Sequence, residues 1–111
     1  MLELAIRDFL ADALSVPVYT EYPKNPDTKF VVLKWSGEGR ENLLNEALLI
    51  TDSYAETKLE AAVLHEQVKT VADELDTLNE ISDIHLSTDY PVIDTGNKKY
   101  RYQAVYTMNH Y

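Results

Sequence analysis

The 111-residue chain has no cysteine. Disulfides, zinc–thiolate centres and cysteine nucleophiles are therefore excluded. No apolar run reaches the length of a membrane span. The opening MLELAIRDFL carries Glu3 and Asp8, and it lacks the basic start and apolar middle of a secretory leader, so none is expected. Basic charge is also scarce, with 10 Lys+Arg against 19 Asp+Glu and a net charge of −9. A field of that sign repels phosphate and opposes nonspecific nucleic-acid binding. The densest basic cluster, GNKKYR, reads as the end of a hairpin.

Catalytic signatures are missing as well. There is no G-x-S-x-G elbow, phosphate-binding loop or G-x-G-x-x-G turn. His65-Glu66 is followed by Lys69 where a zinc-protease helix needs its second histidine. His65 is expected on the solvated side of its helix. Asp83, His85, Asp89 and Asp94 form the one grouping of oxygen and imidazole ligands for a hard cation. Their spacing is that of solvent-facing positions on an edge strand, and no metal, cofactor or catalytic residue is assigned. Internal repeats, linkers and low-complexity segments are absent.

What remains is the pattern of one α+β domain over residues 1–111. LELAIRDFLADAL, residues 2–14, places Leu2, Ile6, Phe9, Leu10 and Ala13 at helical spacing, and Pro17 ends that helix near Ser15. VPVYTEYP is a short extended piece, and KNPDTK is turn chemistry. FVVLKW, residues 30–35, is a strand. SGEGRENLLN is expected to be a mobile loop. EALLITDSY is a second strand, apolar on both faces from Ala47 to Ile50 as in the middle of a sheet. Ser53 and Glu56 match a capping box for a helix running to about Leu78, with an apolar stripe of Ala61, Leu64, Val68, Val71, Leu75 and Leu78. ISDIHLSTDY then places Ile84, Leu86 and Thr88 on one side and His85, Ser87 and Asp89 on the other. Pro91 opens a further strand, and DTGNKK turns it into the last one. The predicted fold is α+β, a largely antiparallel or mixed sheet with two helices on one face.

Eight tyrosines stand against two phenylalanines and one tryptophan. Tyrosine combines apolar area with a polar tip and suits surfaces that are wet in one state and covered in another. The final KKYRYQAVYTMNHY puts Tyr100, Tyr102, Ala104, Tyr106, Met108 and His110 on one face. Arg101, Gln103, Val105, Thr107, Asn109 and Tyr111 lie on the other. Tyr102 and Tyr106 are expected beneath the helices, with the polar face left for a neighbour.

AIRDFLADALSVPVYTEYP, FVVLKWSGEGRENLL, SYAETKLEAAVLHEQV and YRYQAVYTMNHY, in that order, resemble the tail-completion or head–tail joining proteins of tailed bacteriophages and prophages. The resemblance spans nearly the whole chain. It implies a small α+β protein at the head-proximal end of the tail, as a homo-oligomeric and usually sixfold ring, sometimes assembled only on the tail. Its implied partners are further copies of itself, the tail tube protein and the head connector, with genomic DNA passing through the lumen without specific binding. No cofactor, reaction or membrane is implied, and the expected location is the virion, by way of the host cytoplasm during assembly. An acidic lumen suits DNA that must slide. The candidate assembly contacts are Gly37, Glu38, Arg40, Glu41 and Asn42 of the loop and Lys98, Lys99, Arg101 and Gln103 beside the last strand. The rival reading is a small acidic module that binds and inhibits a basic host protein.

Overall fold

A computed structural model describes residues 2–41, 44–92 and 99–111, with 38–41 described as backbone only. Helix α1 (Leu2–Leu14) is followed by strands β1 (Val18–Tyr19), β2 (Phe30–Glu41) and β3 (Leu44–Ala55). Helix α2 (Lys58–Ala72), a 3-10 turn (Leu75–Thr77) and strands β4 (Ile81–Val92) and β5 (Tyr100–His110) complete the order. The strands form one sheet in the order β1-β2-β3-β5-β4. Every pairing is antiparallel except the short β1–β2 contact. The sheet is therefore mixed, and both helices lie on one face, as the apolar patterning predicts. The doubly apolar run of β3 is explained by its place in the middle of the sheet.

The core lies between the sheet and the helices. Ile6 and Leu10 of α1 meet Leu64, Val68 and Ala72 of α2, and Val31, Leu33, Leu49, Ala104, Tyr106 and Met108 of the sheet lie beneath them. Tyr106 is fully enclosed there. Tyr102 is only half-buried and leans on the His65 ring, 5.1 Å between centroids. A smaller cluster of Phe30, Val32 and Tyr54 occupies the opposite face. Tyr22 meets Phe30 and Tyr54 edge-on and covers that end.

Five local expectations need correction. SGEGRENLLN is not a loop as far as Glu41: β2 continues through it, opposite β3. The register shifts between Gly37 and Gly39, which leaves Glu38 as an extra residue. The glycines thus admit a bulge in a paired strand instead of ending it. Asn42 lies outside the described residues.

The capping box sits four residues later than Ser53. Ser53, Tyr54 and Ala55 remain in β3, paired with Tyr102, Arg101 and Tyr100. Thr57 is the N-cap of α2: its hydroxyl accepts the Glu60 N–H at 3.1 Å and donates to Glu60 Oε1 at 2.9 Å. The other end of α2 closes early at Ala72, where Asp73 and Glu74 place negative charge on the negative end of the helix dipole. The chain tightens there, with the Glu74 N–H donating to the Val71 carbonyl.

Pro91 does not open a new strand but lies within β4, opposite Tyr102. An edge strand tolerates proline because one of its sides needs no N–H. Residues 93–98, with most of the predicted DTGNKK turn, lie outside the described residues. Lastly, β4 does not keep a simple alternation. Register shifts between Ile81 and Asp83 and between Leu86 and Thr88 exchange the faces along the strand.

The cap assignment separates two hydroxyls. Thr57→Ala is expected to cost about 1 kcal/mol in urea unfolding. The buried Ser53 hydroxyl has no hydrogen-bond partner among the described residues. Ser53→Ala is expected to leave the urea midpoint unchanged or raise it slightly.

Candidate functional site

The sheet face without helices carries a chain of polar contacts across four strands. Its centre is Asp52 of β3, which has no exposed surface. Burying a carboxylate costs several kcal/mol unless charges and donors replace its water. Here Gln103 Nε2 of β5 donates to Asp52 Oδ1 at 2.9 Å, and Lys34 Nζ of β2 lies 3.0 Å from Oδ2. The Arg101 guanidinium lies 3.9 Å from the same oxygen and donates to the Tyr54 hydroxyl at 3.2 Å. The Gln103 amide oxygen in turn accepts from the Tyr90 hydroxyl of β4. Farther along the same face Asn109 Nδ2 donates to Asp83 Oδ1 at 2.9 Å.

These contacts depend on register. Lys34 stands opposite Ile50, one diagonal step from Asp52, while Asp52 faces Gln103 and Gln103 faces Tyr90. A slip of one residue in any pair would turn its member to the other face. The signal in the sequence is the alternation Glu46, Leu48, Ile50, Asp52, Tyr54, in which Asp52 is a charge set between apolar and aromatic residues of one strand face.

A second cluster lies under α2. The shift between Leu86 and Thr88 turns Asp89 to the helix side, opposite Ala104. There Asp89 Oδ2 accepts from His65 Nε2 at 2.8 Å and from Lys69 Nζ at 2.8 Å. His65 is 3% exposed, contrary to its expected solvated position. Lys69 and then His65, as hydrogen-bond donors, hold the Asp89 carboxyl below the usual carboxylate range. The same carboxylate raises the Lys69 ammonium above its usual range. Burial pushes the Tyr106 hydroxyl up.

The grouping of oxygen and imidazole ligands noted in the sequence does not converge. Asp83 and His85 are on the open face and Asp89 is on the helix face, while Asp94 lies outside the described residues. No group of three or more potential metal ligands occurs among the described residues.

The candidate assembly contacts divide between two ends of the sheet. Gly37, Glu38, Arg40 and Glu41 lie at the end of β2 nearest the start of β3, with Gly37 exposed and opposite Ala47. Lys99, Arg101 and Gln103 lie at the far end of β3, around Asp52 and Tyr54. Lys99 is turned toward its own chain, 3.6 Å from Glu56, with 14% of its side chain exposed. Arg101 and Gln103 serve the Asp52 network. Lys98 lies outside the described residues. Sequence reading missed Asp52, Lys34, Lys69 and Tyr90 because each acts through a cross-strand or helix–sheet partner distant in the chain.

No protein-family model matches the sequence, and no curated protein matches it. The fold does have a solved counterpart. A chain described as "Virion of native gene transfer agent (GTA) particle" superposes with a TM-score of 0.69 over 98% of this chain and 89% of that one, at 13% identity. At that identity the likeness is one of fold. No helix among the described residues is long and apolar enough to cross a membrane.

Asp52→Ala is expected to lower the unfolding free energy by about 3 kcal/mol, because it removes the counter-charge beside Lys34 and Arg101 and the acceptor of the Gln103 amide. Asp89→Asn tests the second cluster through pH. A depressed carboxyl contributes stability above the unfolded value of about 3.9 and loses it as pH falls through the lower folded value. A raised ammonium contributes below about 10.4 and loses it as pH rises through the higher folded value. The stability difference between the wild type and Asp89→Asn is therefore expected to shrink as pH falls below the unfolded carboxyl value and as it rises past the unfolded ammonium value. Chemical unfolding at a series of pH values measures it. A difference independent of pH down to full acid unfolding would contradict the ion-pair account.

Proposed function

We propose that this chain is a non-enzymatic structural protein of a phage or phage-like particle. It acts at the head-proximal end of the tail, where a ring of copies caps the tail tube and joins it to the head connector. The observation that carries this reading is the correspondence over nearly the full length of both chains with a component of a gene transfer agent virion. The resemblance of the sequence to tail-completion proteins points the same way, independently of the superposition.

The charge suits the role. A net charge of −9 keeps phosphate from adhering as DNA passes. The end of β2, with Gly37, Glu38, Arg40 and Glu41, offers a contact to tail or connector proteins. Asn42 and Lys98 remain candidate contacts in the same proposal. Arg101 and Gln103 are assigned a supporting part, since they hold the sheet face that a neighbour meets.

The test is electron microscopy of particles from a lysate in which this gene carries an early stop codon. Full heads separate from free tails are the expected result. Overlong tails would add length control to the role, and tails of normal length would leave joining alone. Intact, infectious particles would overturn the proposal and favour the inhibitor of a basic host protein.

A further inference from the structure

The two sides of the molecule differ in covering and in charge. Residues 2–16 and 56–80, which build the helical side, hold ten acidic side chains, and their only basic ones are Arg7, Lys58 and Lys69. The remaining basic residues belong to strands and their connections. On the open sheet face Lys34 keeps half of its side chain exposed, while the nearest carboxylate, Asp52, is sealed from solvent. The helical side is acidic apart from Lys29 at its cleft, whereas the exposed charges of the bare sheet, Lys34 and Glu46, are of both signs.

Each side also offers apolar surface. Leu59 and Val63, one turn apart on α2, are 74% and 49% exposed. They border a cleft of about 460 Å³ together with Leu14 and Val16 at the end of α1. On the opposite side Leu48, Ile50 and Val105 are half-buried, and Lys34, Ser36, His85 and Thr107 around them are exposed. The helices contact only the other face of β3 and β5. A sheet with apolar groups on both faces calls for a second covering layer.

We propose that this layer is the helical side of a second copy, so that the α1–α2 cleft of one subunit seats on the bare sheet of the next. The proposal rests on the ring reading and names the contact that builds the ring. Helices and bare sheet lie on opposite sides of a two-layer molecule. A contact that joins opposite sides is heterologous and propagates head to tail, closing into a ring when the rotation allows. The acidic helical side meets a sheet face of mixed charge, and Leu59 and Val63 meet Leu48, Ile50 and Val105. A self-complementary contact between two helical sides would instead set acidic surfaces against each other.

The absence of cysteine makes the contact directly testable. Ser36→Cys and Val63→Cys each place one thiol at an exposed position, one on each side. When the two purified variants are mixed and oxidised, the cross-linked dimer is expected to exceed that of either variant alone by about tenfold, because docking holds the thiols at high effective concentration. A variant carrying both changes is expected to give a ladder of higher oligomers. Leu48→Cys with Leu59→Cys supplies a second pair, and circular dichroism checks that each variant is folded. Cross-linking confined to one variant alone would reveal a twofold contact and overturn the proposal. No excess in either mixture would overturn it too. Mass spectrometry of purified particles separates this result from the functional reading. The chain present in particles without cross-links refutes the interface alone, whereas cross-links from a chain absent from particles refute the virion role alone.

Discussion

The sheet is organised around a carboxylate that no water reaches. Asp52 occupies the central strand on the face that no helix covers, and its charge is met by partners from the strands on either side. Apolar contacts tolerate small shifts of register, because one aliphatic group can replace another. A buried charge does not, since an unmatched carboxylate forfeits most of its solvation. Asp52 therefore selects one alignment of β2, β3 and β5. That alignment in turn sets which residues of β5 lie beneath the helices.

The second constraint comes from an irregularity. In a regular strand Asp89 would share a face with Asp83 and His85. The shift between Leu86 and Thr88 moves it to the other side, where His65 and Lys69 of α2 reach it. The helix layer is thereby tied to the edge strand by charge as well as by packing. The displacement also dissolves the one grouping that resembled a cation site.

Period and composition made the main elements legible. The spacing of Ile6 and Leu10, the β-branched run from Phe30, the doubly apolar centre of β3 and the alternation of β5 all reappear in the fold. What stayed hidden depends on partners distant in the chain. A glycine pair reads as a loop until the opposite strand is known to continue beside it. His65 reads as exposed because its burial is decided by Asp89, 24 residues away. Ser53 and Thr57 both precede a suitable glutamate, and only the pairing of Tyr54 and Ala55 with β5 decides between them. Of the candidate contacts, Lys99, Arg101 and Gln103 have intramolecular partners that no local pattern announces.

The irregular β4 has a further consequence, for how copies of the chain can meet. It is the long outer strand of the sheet, and such a strand is a template for unlimited edge-to-edge growth. Two shifts of register and Pro91 break the straight ladder that a second chain would need. Newly made copies are thus discouraged from fibre formation, while their broad faces stay available. Edge-to-edge growth and face-to-face contact draw on different surfaces of the same sheet.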